Sequence, residues 1–256
     1  MRKARGPTRP LGSRAGDVFC FLGLGLVADL VHDELRHAAL GFQHLAHIVD
    51  QILVAAAENH VVGHIGGLLA GGKAASGYGM WFVMLLGAVT ACVAMNDIVM
   101  LMNMQKISRV YQSMEQTIYS TPRWLQMVGA GMLAPIAEEL VYRGMIYRRM
   151  RESLTAMQAG VFVSILFGVG HGNLPQGLYA MVLGFLLAGI YEKFRNIAAP
   201  VLFHIVVNIT SLLLSWYGGF EWILGTEGKA VGITVLATLI TVIIYVKIKN
   251  IRQEIR

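Results

Sequence analysis

The sequence predicts an all-α fold: a polytopic membrane bundle of six to eight transmembrane helices enclosing a polar intramembrane cavity. Three observations carry this reading. Of 256 residues, 55% are hydrophobic and only 14% charged, against about 25% charged in soluble domains. The apolar residues gather in runs of roughly twenty, the length at which a helix crosses a bilayer. A few ionisable groups interrupt those runs, and such groups persist in lipid only where they face protein or a water-filled cavity. The net charge of +6 sits in short clusters beside apolar runs. That pattern fits cytoplasmic loops and membrane lipids as neighbours, and it excludes a nucleic-acid surface. Cys20 and Cys92 lie far apart in apolar segments, with neither a disulfide framework nor zinc spacing. The 29 glycines and 14 methionines suit helices that approach closely in a membrane.

The chain divides near residue 79. Residues 1–79 form a His- and Gly-rich N-terminal segment with little clear assignment, and 80–250 form the membrane-embedded core. Met1 to Arg14 is basic with Pro7 and Pro10, as expected of a disordered cytoplasmic tail. Val18 to Val31 is apolar but short, and Asp29 interrupts it. It reads as an uncleaved first helix or an interfacial segment, since no small-residue cleavage site follows. Six of the eight histidines fall between His32 and His64. His60 and His64 have a spacing that suits a metal, but no His-Glu-x-x-His sequence is present. This stretch reads as a peripheral amphipathic helical segment, and Gly63 to Gly79 as a linker.

Met80 to about Met102 is the first full span, carrying Asn96 and Asp97. Asn103 to Pro122 is amphipathic and expected to lie along a membrane surface. Trp124 to Tyr147 is the second span. A charged turn follows, from Arg148 to Glu152. Leu154 to His171 and Leu174 to Tyr191 come next, separated by Gly172-Asn173. A charged turn at Glu192 to Asn196 precedes the span Ile197 to Tyr217. The polar loop Gly218 to Lys229 leads to a last span, Ala230 to Val246, and a basic tail. The basic segments after Tyr147, at Lys193-Arg195 and at the C-terminus alternate with weakly charged loops. All three therefore fit one, cytoplasmic, side, which puts the C-terminus there.

The second span holds Glu138-Glu139-Leu140-Val141-Tyr142-Arg143. Glu139 and Arg143 are four residues apart and share a helix face, so they are expected to pair. Glu138 points away and is left free for chemistry. Pro135 removes the helix bond to the Gly131 carbonyl, which should kink the helix or open it to water. Farther on, His171 ends Phe167-Gly168-Val169-Gly170-His171, with Ser164 on the same face. His204 and Asn208 share a face of their helix, and Ser211 extends it. A neutral imidazole donates, accepts or acts as a base near pH 7. An asparagine amide orients a group or donates to developing charge.

Glu138-Glu139-x-x-x-Arg143, Phe167-x-x-x-His171 and His204-x-x-x-Asn208, in that order, resemble the three motifs of the CPBP family. It comprises the type II CAAX prenyl endopeptidases and the Abi-like or bacteriocin-processing membrane proteins. The resemblance covers about Trp124 to Tyr217. It implies an intramembrane endopeptidase, a multi-pass hydrolase acting on a membrane-associated or lipidated protein or peptide. By motif position it makes Glu138 the base that activates water, assisted by His171. His204 and Asn208 would stabilise the oxyanion, while Glu139 and Arg143 hold the site together. No cofactor is favoured. The same residues allow a zinc alternative with Glu138, His171 and His204 as ligands to Zn2+, and Asn208 argues for the metal-free scheme. A non-catalytic immunity or peptide-binding protein using the same cavity is the other reading. A transporter lacks support, with no repeat symmetry in the chain. The expected location is the plasma membrane of a prokaryote. The sequence specifies neither the natural substrate nor the oligomeric state.

Overall fold

The computed structural model describes residues 78–106 and 108–250. The expectations for the basic tail, the first apolar run, the histidine-rich segment, the Gly-rich linker and the tail beyond Asn250 lie outside these residues. The described chain is helical throughout, with no strand among the described residues. Helix α1 (Tyr78–Leu101) is followed by a short 3-10 turn and α2 (Arg109–Ser120). A long rod comes next. It consists of α3 (Arg123–Val128), a widened π segment Gly129–Leu133, α4 (Ala134–Glu139), a second π segment Leu140–Tyr147, and α5 (Arg148–Met150). Then come α6 (Ala156–Gly170), α7 (Leu174–Phe194), α8 (Ala198–Trp216), the short α9 (Gly219–Ile223) and α10 (Glu227–Asn250).

Among the described residues, four helices are long and apolar enough to cross a membrane: Gly79–Leu101, Leu174–Phe194, Ala198–Trp216 and Glu227–Asn250. They share one core. Met84, Ala88 and Cys92 of α1 meet Leu183 and Leu187 of α7, Phe203 and Val207 of α8, and Ile244 of α10. The opposite faces stay apolar although exposed, as at Val235, Leu239 and Ile243 of α10 or Phe82 of α1. Such faces belong against lipid tails, where burial gives helices no drive to associate and close packing must hold them. Gly87 supplies one such contact, since a Cβ there would lie 2.9 Å from Ile244.

The other two expected spans are built differently. The rod from Arg123 to Met150 is not a uniform α-helix. Helix α6 has only 15 residues, about 22 Å at 1.5 Å per residue, short of the ~30 Å hydrocarbon core. Its start is fixed by a capping box between Thr155 and Gln158, which satisfies the orphan N–H groups of the first turn. It ends at Gly170, so the C-cap His171 stops inside the bundle. Gly172, with φ +69°, makes the turn into α7, and Asn173 caps that helix through the Gln176 N–H. The two helices then cross very closely. A Cβ on Gly168 would lie 2.6 Å from the Gly177 carbonyl oxygen.

Several boundaries differ from the sequence reading. The charged turn at Glu192 is helical up to Phe194, where Arg195 closes the helix with φ +50°. Within the expected polar loop 218–229, α9 buries Phe220 and Ile223. The last helix begins at Glu227, because the apolar run needs another turn to reach the surface. Helix α2 buries no residue, in keeping with a surface helix, and it is tied to α8 through Tyr119 Oη and Ser215 Oγ at 2.8 Å.

The three basic segments lie at one end of the bundle. Arg151 pairs with Glu192 at 3.2 Å, Arg195 pairs with the same carboxylate at 2.7 Å, and Lys193 reaches the Lys249 carbonyl at 3.5 Å. Tyr147 donates to Glu192 at 2.8 Å and locks the end of the rod to α7. At the opposite end, Trp216 Nε1 donates to Gln126 Oε1 at 2.9 Å, and the Arg123 guanidinium lies over the Trp216 ring.

Candidate active site

The site is assembled where the rod meets α6, α7 and α8. Its deepest part is an ion pair. Arg143 Nη1 donates to Glu139 Oε1 at 2.6 Å, and both side chains are fully buried. Arg143 also donates from Nη2 to the Gly184 carbonyl of α7 at 2.9 Å. Its guanidinium lies 4.9 Å from the Phe167 ring centroid of α6. One arginine thus joins three elements. Fully desolvated pairs of this kind are stable only with such extra partners.

The same Glu139 oxygen accepts from His204 Nδ1 at 2.9 Å. A carboxylate can only accept, so Nδ1 carries the proton and the ring orientation is fixed. His204 Nε2 then faces Glu138 Oε2 at 3.7 Å. That gap is too long for a direct hydrogen bond; both groups can instead reach one intervening polar atom. Glu138 therefore keeps its carboxylate clear of Arg143 and makes no other ion pair among the described residues. Spacing along the helix gives the two carboxylates different surroundings: the imidazole bonds to Glu139 and faces Glu138 across a 3.7 Å gap.

His171 Nδ1 lies 2.7 Å from the Phe167 carbonyl. A carbonyl also only accepts, so this nitrogen is the donor and Nε2 is left as an acceptor. Phe167 is the hub of the site. Its ring meets His171 at 4.9 Å, His204 at 5.8 Å and Tyr142 at 4.8 Å between centroids, all edge-on.

Asn208 reaches the rod one turn along α8 from His204. Its Nδ2 donates to the Ala130 carbonyl at 2.9 Å. The reason lies in the π segment. Ala134 N–H bonds back five residues to the Gly129 carbonyl. In that register the carbonyl awaiting residue 135 is that of Ala130, and Pro135 has no N–H to give. The break expected at Gly131 is thus shifted to Ala130, and Asn208 fills it with one of its two amide hydrogens. The other remains for a ligand. Gly131 allows the approach, since a Cβ there would lie 3.3 Å from Ile209 of α8. π segments of this type recur at functional sites.

Glu138, Glu139, Arg143 and His204 form one connected cluster, His171 joins it through the Phe167 ring that it shares with His204, and Asn208 lies one turn along α8 on the Ala130 carbonyl. Ser164 is not part of it. Its Oγ donates back to the Gly160 carbonyl at 2.5 Å, and the residue packs under Gly184. Reasoning from sequence overlooked Tyr142, whose position four residues after Glu138 was the available signal, and the central place of Phe167. Among the described residues, no three His, Cys, Asp or Glu side chains form a metal-holding group.

The segment that holds these motif residues is similar to known proteins. The family description Type II CAAX prenyl endopeptidase Rce1-like matches residues 120–210. A protein of Bacillus subtilis (strain 168) named "Putative membrane peptidase YdiL" is 28% identical over 97 residues, 38% of this chain. The match covers 39% of that protein's own length. No solved structure matches the chain. With its apolar spans the chain is an integral membrane protein, and its residues 120–210, which hold all six motif residues, are similar to this family of membrane proteases.

Proposed function

We propose that the protein is an intramembrane endopeptidase that uses Glu138 to activate water and cleaves a membrane-associated or lipidated protein or peptide near its C-terminus. The observation that carries this is the His204 imidazole set between two carboxylates, one tied to Arg143 and the other clear of it. In the first step Glu138 takes a proton from water while the water oxygen bonds to the scissile carbonyl carbon. His171, with Nδ1–H anchored on Phe167, offers Nε2 to the same water. The carbonyl oxygen becomes an oxyanion. Protonated on both nitrogens, His204 donates Nδ1–H to Glu139 and presents Nε2–H to that oxyanion, beside the second amide hydrogen of Asn208. The C–N bond then breaks, and Glu138 returns its proton to the leaving amine. No step runs through zinc.

The substrate approaches from the membrane, since the site lies between apolar helices. The three basic ends face the cytoplasm of a prokaryotic cell by the positive-inside rule, which places the C-terminus there. The test is cleavage of a precursor-peptide library, including prenylated C-termini, by protein purified in detergent. Glu138→Gln should abolish cleavage by at least about a hundredfold with an unchanged melting temperature, and a strong chelator should leave the wild type active. Equal cleavage by both proteins overturns Glu138 as the base. A folded wild type inactive on the whole library supports a peptide-binding or immunity protein instead.

A further inference from the structure

One polar group in the site has no part in the scheme above. Tyr142 is 7% exposed, and its hydroxyl makes no hydrogen bond to any described residue. The oxygen is not one of the fully enclosed polar atoms left without a partner, so it opens on space that a water can fill. The ring is held on two sides. It packs edge-on against Phe167 at 4.8 Å, and it sits one turn beyond Glu138 on the same rod. The hydroxyl also lies against Gly170, where a Cβ would come within 2.6 Å of Tyr142 Oη. Residue 170 immediately precedes His171. The missing side chain at position 170 therefore leaves room for this oxygen, beside the two residues that handle water.

We infer that the Tyr142 hydroxyl is a third hydrogen-bonding group for the attacking water, completing a set with Glu138 and His171. The argument rests on the protease reading. An attacking water has two protons and two lone pairs. Glu138 accepts one proton and His171 Nε2 accepts a hydrogen bond from the other. Tyr142 donates to one lone pair, which leaves the second aimed at the carbonyl carbon. Without the third contact the water can turn about the axis set by the first two. A misaligned nucleophile loses rate while substrate binding is untouched. Asn208 cannot take over this task, because it is held on the Ala130 carbonyl on α8's side of the rod.

Tyr142→Phe keeps the ring and its contact with Phe167, so it isolates the hydroxyl. The expected result is a kcat lower by about tenfold to a hundredfold, with KM within about twofold and an unchanged melting temperature. Gly170→Ala should produce a comparable loss by pushing the hydroxyl aside. In the Tyr142→Phe background it should add almost nothing, a non-additivity expected only if both changes act on one oxygen. The inference is overturned by full activity in Tyr142→Phe, by a loss that appears only with a lowered melting temperature, or by losses that multiply in the double variant. Wild type and Glu138→Gln run alongside. An active wild type with an equally active Tyr142→Phe overturns this inference alone, whereas a folded but inactive wild type overturns the protease reading and this inference with it.

Discussion

At the scale of single residues, the Glu139–Arg143 pair decides whether the site exists. Both side chains are fully buried, so each is tolerable only because the other is present. Removing one partner of a buried pair leaves an uncompensated charge, at a cost of about 3–5 kcal/mol. Arg143→Met should therefore lower stability by that amount, measured by unfolding in detergent. Replacing both residues, Glu139→Leu with Arg143→Met, should recover much of it, since the charge is gone. Cleavage should stay absent in the double variant, because His204 Nδ1 then has no acceptor. Recovery of activity along with stability would show that Glu139 is structural only. The i, i+4 spacing made the pair legible in the sequence. Its link to His204 was not, because 65 residues separate them and no local periodicity encodes that contact.

Among the elements, the rod from Arg123 to Met150 is where local chemistry and tertiary packing meet. Pro135 announces a break in any helical register. Which carbonyl loses its partner depends on the register, and the π segment at Gly129–Leu133 moves the loss to Ala130. Asn208 then serves the backbone as well as the proposed oxyanion. Asn208→Ala should lower stability by about 0.5–1.5 kcal/mol, the net worth of one part-buried hydrogen bond. Adding Pro135→Ala supplies an N–H in the right place. That second change should restore most of the stability and none of the activity. If it restores neither, the account of the widened turn is wrong. The α6–α7 hairpin illustrates the complementary case. Gly168 and Gly177 let two backbones touch, and this close crossing, rather than any single bond, sets the height of His171.

For the whole molecule, the ion pairs and hydrogen bonds around Glu192 gather the basic segments at one end. The positive-inside rule then predicts a common cytoplasmic side. In a background with Cys20 and Cys92 replaced, single cysteines at Arg149 and Lys247 should react with an impermeant maleimide only in inverted vesicles. A cysteine at Glu221 should react only in intact cells. Opposite behaviour of the first two sites would break the arrangement, and reversal of all three would invert it.

Composition and the length of the apolar runs determined that this chain is an all-α membrane bundle, because a continuous run of about twenty apolar residues satisfies its own backbone polar groups in lipid as a helix, whereas barrel strands are shorter and alternate in polarity. Motif order carried the resemblance to a protease family, and helical spacing determined the pairing of Glu139 with Arg143. The tertiary structure alone decided that His204 spans both carboxylates, that Asn208 fills the gap left by Pro135, and that Phe167 gathers the aromatic and basic groups. Those contacts join helices distant in sequence. Their geometry depends on which glycines let backbones approach and where a helix widens, and neither is fixed by the periodicity of any one segment.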